Sequence, residues 1–197
     1  MKAPGLELFR SLEAQLGPLP LVAEDLGLIT EEVDELRQDL GFPGMKVLQF
    51  GFSDKGAHIH LPHRFTPDTV AYTGTHDNSS TQGWWAGLGE VEKQAVEAYL
   101  GPLPERDGEK RAAWPLMRAT TASVAGLALF PAQDLLELGA EARMNTPAVA
   151  HGNWSWRVAE GSWTPELADR LAALTEVTDR ENDPLGGENE KDFTETA

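Results

Sequence analysis

Tyr72-Thr73-Gly74-Thr75-His76-Asp77-Asn78 is the stretch on which the reading of this chain turns. The short β-prone run Thr69-Val70-Ala71-Tyr72 leads into a glycine and then into His, Asp and Asn. A buried strand ends in this way when its tip presents polar groups to a cleft, the place where barrel enzymes keep their chemistry. Asp77 and Asn78 are then either groups of a site or caps of the helix that Ser79-Ser80-Thr81 opens. A second stretch of the same design, Leu21-Val22-Ala23-Glu24-Asp25-Leu26-Gly27, lies roughly two strand–helix units earlier and favours the first reading.

Working outward, Leu6, Phe9, Leu12 and Leu16 recur at helical spacing and stop at Gly17-Pro18, a helix end followed by a breaker. Residues 19–23 read as a short buried strand. Thr30 reads as the cap of a helix with Glu31 and Glu32 in its first turn, where the dipole favours negative charge. Val33, Leu36 and Leu40 mark the inner face of that helix. Residues 45–50 and 69–72 read as strands, joined by a loop rich in His and Pro. Helices follow over 79–88 and 91–100, then a long, mostly helical segment over 109–128 with Pro115 near its start or at a kink. A strand over 127–130, a short helix over 133–136 and a helix from Thr164-Pro165-Glu166 to about Thr178 complete the pattern. Strands alternating with helices predict a parallel sheet. Four strands are legible, whereas a closed (β/α)₈ barrel needs eight and about 250 residues.

The chain has 197 residues, 41% of them hydrophobic, enough for one sizeable core. With 16 basic and 32 acidic residues its net charge is -16, which argues against nucleic acid and anionic membranes and for a neutral or cationic partner. It has no cysteine, no apolar signal core after Met1 and no membrane-length apolar run, so a cytoplasmic, non-secreted protein is expected. One domain is expected over 1–179, with an acidic, Gly/Asn-rich disordered tail over 180–197.

Six tryptophans are many for this length, and several sit among Gly, Asn, Ser and Thr. Each is either a core-edge residue or a flat surface for stacking on sugar rings; Trp84 and Trp85 are the stacking candidates, on chemical grounds alone. Glu24 and Asp77 both fall just after predicted strands, and paired carboxylates there suggest glycosidic bond chemistry. His76, beside Asp77, can donate hydrogen bonds to sugar hydroxyls. His58, His60 and His63 contain a His-x-His spacing that can chelate, but no carboxylate or thiol is placed to complete a site, and no metal is predicted.

Five blocks in order then resemble one family. They are Val22-Ala23-Glu24-Asp25-Leu26-Gly27, Gly44-Met45-Lys46-Val47-Leu48-Gln49-Phe50, the stretch 72–78, Gln133-Asp134-Leu135-Leu136 with Glu141-Ala142-Arg143-Met144-Asn145, and Gly152-Asn153-Trp154-Ser155-Trp156-Arg157. Together they look like glycoside hydrolase family 77, the amylomaltases of the α-amylase clan. The resemblance implies an α/β fold made of the C-terminal half, strands 5 to 8, of a (β/α)₈ barrel that is incomplete in this chain. It implies Glu24 as general acid/base, Asp77 as the carboxylate that holds sugar hydroxyls and stabilises the transition state, and His76 and Asn145 as substrate-binding residues. It also implies maltooligosaccharides or other α-1,4-glucans as partners and no cofactor.

The family's nucleophilic aspartate precedes the acid/base, and the residues before Glu24 contain no aspartate. The resemblance therefore implies a 4-α-glucanotransferase whose fragment is inactive alone, with a possible N-terminal half chain as partner. The alternatives are a non-catalytic glucan-binding fragment or one half of a split enzyme. Uncovered strand edges make association or poor solubility the expected behaviour of a half barrel.

Overall fold

The computed structural model describes residues 4–53 and 57–181, so the expected disordered tail lies, from 182 onward, outside the described residues. Gly5–Leu16 forms α1 and Glu31–Asp39 forms α2, whose first turn carries Glu31, Glu32 and Asp34. Gly44–Val47 is β1. From it the chain runs through 3-10 turns over Leu48–Phe52, Ala57–His60 and Pro62–Arg64 into Thr69–Tyr72, β2. Thr81–Gly87 (α3) and Glu90–Leu100 (α4) precede a hairpin of Glu105–Arg106 (β3) and Glu109–Lys110 (β4). Ala113–Thr121 (α5), Leu127–Leu129 (β5), Ala132–Leu135 (α6) and Pro165–Val177 (α7) follow. The Thr164 hydroxyl accepts the Leu167 N–H and caps α7, with Pro165 at the first helical position as expected.

The sheet is parallel, in the order β1-β2-β5, with Val70 opposite Met45 and Leu127, and Tyr72 opposite Val47 and Leu129. β2 is the central strand, and Thr69, Val70 and Ala71 are buried accordingly. The main core joins Leu48, Phe52, Leu61, Trp85, Val96, Leu103, Ala112 and Leu116, and a second cluster sets Trp114 and Met117 against Leu174 of α7.

Four expectations need correction. Residues 19–23 form no strand: Leu21 and Val22 are exposed, and one backbone bond, Ala23 N–H to the Pro43 carbonyl at 2.9 Å, joins this stretch to the start of the sheet. A strand needs a partner along its length, and this run has one at its end alone. The sheet accordingly has three strands among the described residues, not four.

The long helix over 109–128 is also not formed. Asp107 and Gly108 adopt left-handed conformations, φ 55° and 76°, and turn the chain into the β3–β4 hairpin. Asp-Gly is the dipeptide such a two-residue turn requires. α5 is confined to Ala113–Thr121, and Pro115 lies in its first turn, where a missing N–H costs nothing.

Trp84 and Trp85 lie on α3; Trp85 is buried among Leu48, Phe52 and Leu116, and Trp84 packs against the same core. Trp85 is a core residue and Trp84 a partly buried one at the edge of that core, and neither borders the cleft at the end of β2. Arg180, placed at the head of the tail by composition, instead docks: its guanidinium donates to the carbonyls of Thr121, Ser123 and Ala125 at 2.6, 2.9 and 2.7 Å.

Candidate active site at the strand ends

Beyond Tyr72 the chain leaves β2 through Thr73 and turns at Gly74. A Cβ on Gly74 would stand 2.7 Å from the Gln49 side-chain nitrogen and 3.3 Å from the Asn78 Cβ, so a larger residue would push the Gln49 amide from its bonds to the Ser79 carbonyl and Thr81 hydroxyl. Asn78 closes the turn: its Oδ1 accepts the N–H and hydroxyl of Thr75 at 2.9 and 2.8 Å. The helix cap is Ser80, whose hydroxyl accepts the Gly83 N–H at 3.1 Å. Asp77 and Asn78 are therefore not caps of α3, and the Asp77 carboxylate is left for other partners.

Those partners arrive from 143–145. Asn145 Nδ2 donates to Asp77 Oδ1 at 2.5 Å, and Arg143 donates to the Asp77 carbonyl at 2.6 Å and to the Asn145 carbonyl at 2.8 Å. The Asn145 N–H donates to the His76 carbonyl at 3.1 Å. His76 Nε2 lies 3.4 Å from Asp77 Oδ1, and both side chains are about half exposed. A carboxylate held by a neutral amide on one oxygen has lone pairs left for a hydroxyl-rich ligand.

Trp154 completes this wall. Its N–H donates to the Met144 carbonyl at 2.8 Å and its ring stands 5.1 Å from the His76 ring. The residue is held left-handed, φ 61°, a conformation that costs a non-glycine residue about 1–2 kcal/mol. Asn153 stabilises the preceding loop by accepting the Thr146 N–H at 2.9 Å and donating to the Thr146 and Val149 carbonyls at 3.2 and 2.9 Å. Trp154 is 54% exposed, the indole left free beside the acids.

These residues border a cleft of about 520 Å³ whose lining includes Glu24, Tyr72, His76, Asp77, Arg143 and Trp154. The structure thus brings Glu24, His76 and Asp77 to one cleft, ties Asn145 to Asp77, and leaves Trp84 and Trp85 out. Arg143 and Trp154 were not read as site residues from sequence; Gly152 directly before Asn153-Trp154 is the signal of a constrained turn that exposes an aromatic ring. Burial pushes the Tyr72 phenol up from an ordinary value that already leaves it a neutral hydrogen-bond donor at physiological pH.

Glu24 is exposed, whereas the acid/base role that the family resemblance implies for it leads one to expect a buried carboxyl. Its neighbour Asp25 fixes it in place: Asp25 Oδ1 accepts the Met45 N–H at 2.6 Å and Oδ2 meets Lys46 Nζ at 3.3 Å. A Cβ on Gly44 would fall 2.5 Å from that carboxylate, which explains glycine at the start of β1. Among the described residues no cluster of metal-ligating side chains occurs, and no helix is long and apolar enough to cross a membrane. His60 is buried and its Nδ1 accepts the Val47 N–H at 3.1 Å.

A three-stranded parallel sheet flanked by helices, with a cleft bordered by Glu24, His76, Asp77 and an exposed indole, defines an α/β protein with an acid-lined cleft. The family model described as 4-alpha-glucanotransferase matches residues 1–162, and the chain belongs to that family, glycoside hydrolase family 77. It is 46% identical over 184 residues to the 4-alpha-glucanotransferase of Thermus thermophilus, covering 91% of this chain and 37% of that protein. To the Synechocystis 4-alpha-glucanotransferase it is 44% identical over 180 residues, covering 90% of this chain and 35% of the relative. Amylomaltase from Streptococcus agalactiae in complex with acarbose superimposes with a TM-score of 0.84 at 38% identity, covering 92% of this chain and 36% of that one. The chain spans about a third of the length of the curated relatives it matches.

Proposed function

We propose that this chain is the acid/base-bearing part of a 4-α-glucanotransferase that moves α-1,4-glucan segments between maltooligosaccharides by a retaining double displacement. The observation that carries the reading is the hydrogen-bonded set Asp77, His76 and Asn145 on a cleft that Glu24 also borders. The acarbose complex of the Streptococcus agalactiae amylomaltase supports a glucan-like ligand for this fold. Three parallel strands, with 19–23 joined to the sheet at Pro43, fit strands 5 to 8 of a (β/α)₈ barrel in which 19–23 becomes a full strand once paired on its other side.

In the mechanism a carboxylate attacks the anomeric carbon while Glu24 protonates the departing glucan oxygen; Glu24 then takes the proton from the 4-hydroxyl of the incoming sugar as that oxygen bonds to the anomeric carbon and the carboxylate is released. Two inversions give net retention. Asp77, oriented by Asn145 and by Arg143 at its carbonyl, accepts hydrogen bonds from the ring hydroxyls and offsets the positive charge of the oxocarbenium-like centre. Trp154 offers its face to a neighbouring sugar. Transfer prevails over hydrolysis when acceptor sites bind sugar well and keep water from the covalent intermediate.

No aspartate precedes Glu24 within these residues, so the attacking carboxylate comes from another segment or chain. The 197 residues alone then turn over no maltotriose; longer and shorter maltooligosaccharides in that incubation would refute this part. Activity restored by adding a polypeptide carrying the first barrel half supports one half of a split enzyme, and its failure leaves a glucan-binding fragment. Calorimetric titration tests the site itself: the chain binds maltotetraose, and Asp77→Ala weakens binding by about tenfold or more, the loss of a charged hydrogen bond. Absence of binding by the unaltered chain, or equal binding by Asp77→Ala, would overturn the assignment.

A further inference from the structure

Asp134 is the most buried carboxylate in the described chain, 1% exposed, and no cation contacts it among the described residues. Its oxygens are met instead by three uncharged donors. Thr73 Oγ1 donates to Oδ2 at 2.5 Å, Thr81 Oγ1 to Oδ2 at 2.6 Å, and the Thr81 N–H to Oδ1 at 2.6 Å. Thr73 is the residue at which the chain leaves β2 and Thr81 is the first residue of α3. One carboxylate therefore staples both ends of 74–80, the loop that carries His76 and Asp77.

Its neighbour does the same for the facing segment. Gln133 is buried, and its Nε2 donates to the Ala142 carbonyl at 3.0 Å, directly before Arg143 and Asn145 reach out to Asp77. The two adjacent side chains at the start of α6 thus set the spacing between both partners of the Asp77–Asn145 hydrogen bond. A lone buried carboxylate is a costly way to fill a core, since an apolar side chain of similar size carries no desolvation penalty. Burial accordingly pushes the Asp134 carboxyl up, against the opposing effect of the threonine donors.

We propose that Asp134 is the positioning residue of the cleft, holding the 74–80 loop through Thr73 and Thr81 so that Asp77 meets Asn145. The proposal rests on the glucan-binding reading for its consequence and on the hydrogen-bond geometry for its cause. The test uses the 197-residue chain with Asp134→Asn, Thr73→Val and Thr73→Ser. Val keeps the shape of Thr73 and removes the donor, whereas Ser keeps the donor.

Solvent exchange of the Asn145 side-chain amide, followed by NMR, reports the bond to Asp77, and the Trp85 and Trp114 indole signals report the core. Asp134→Asn and Thr73→Val are expected to speed that exchange about tenfold and to weaken maltotetraose binding by a similar factor, with the indole signals unmoved. Thr73→Ser stays within about twofold of the unaltered chain. Unchanged Asn145 exchange in Thr73→Val, with only the melting temperature lowered, would reduce Asp134 to a core residue and overturn the proposal. Where Asp134→Asn does not fold, the Val/Ser pair decides alone. If the unaltered chain binds no maltotetraose, the functional reading falls while the exchange rates still decide the role of Asp134.

Discussion

The two acids of the cleft are held in opposite ways. Asp77 sits on a loop fixed at both ends, beyond a strand paired on both sides, and it is bonded at carbonyl and carboxylate. Glu24 sits on an arm, 4–30, in which no described residue is buried. That arm is joined to the rest by the Ala23–Pro43 bond, by the Asp25 carboxylate at Met45 and Lys46, and by Phe9 edge-on to Phe42 at 5.3 Å. The stretches 19–27 and 69–78 read alike in sequence. The difference is their neighbours: β2 lies between β1 and β5, and 19–23 has the start of β1 on one side and no strand on the other among the described residues.

The largest test of that difference is stability. Leu116 is fully buried with Leu48 and Val96, and Leu116→Ala is expected to cost about 2–5 kcal/mol, the lost transfer energy plus the cavity left behind. Leu21→Ala on the arm is expected to stay within about 0.5 kcal/mol. Urea unfolding measures both. A cost for Leu21→Ala comparable to that for Leu116→Ala would mean that the arm is packed as tightly as the core and would erase the contrast.

A smaller effect comes from the anchor of the arm. Asp25→Ala removes the acceptor of the Met45 N–H and the partner of Lys46, for an expected loss of about 1–3 kcal/mol. Amide exchange at Ala23 and Met45 should quicken with it, while Val70 and Ala71 in the central strand keep their protection. Exchange at Ala23 that is already as slow as at Val70 in the unaltered chain would break the comparison from the other side.

What could be read in advance follows the same divide. The tip of β2 was legible because apolar Val70 and Ala71 followed by Gly74, His76 and Asp77 are local signals that the packing honours. The cap at Thr164-Pro165 was legible for the same reason. The strand over 19–23 misled because strand formation depends on a partner that no single stretch reveals. Trp85 and Trp154 could not be told apart by type, since one indole fills a core and the other stands at a cleft through a left-handed turn. The hairpin at Asp107-Gly108 carried a readable turn signal, hidden inside a segment whose composition suited a helix. Asp134 stood out in sequence only as a member of the block 133–136, with no sign of its role, because a buried carboxylate without a cation is recognised only by the three donors that fold around it.

The smallest expected effect lies just beyond the arm, where α2 is bridged by charge to the approach to β2. Arg37 of α2 donates to Asp68, just before β2, at 3.0 Å, and also to the Phe42 carbonyl at 2.9 Å. Hydrogen bonding from Thr66 and then from Arg37 holds the Asp68 carboxyl below its ordinary value. A folded carboxyl that ionises more readily than the unfolded one stabilises the fold above the unfolded value of about 3.9 and loses that contribution as the pH falls through the folded one. Asp68 is about half exposed, so water screens the pair and Asp68→Asn should cost only about 0.3–1 kcal/mol near pH 7. That gap should close as the pH drops below about 4, and also when salt is raised to about 1 M at pH 7. A gap independent of both would mean that Asp68 supports the approach to β2 by shape and hydrogen bonding alone, and that charge at α2 adds nothing to the hold of the body.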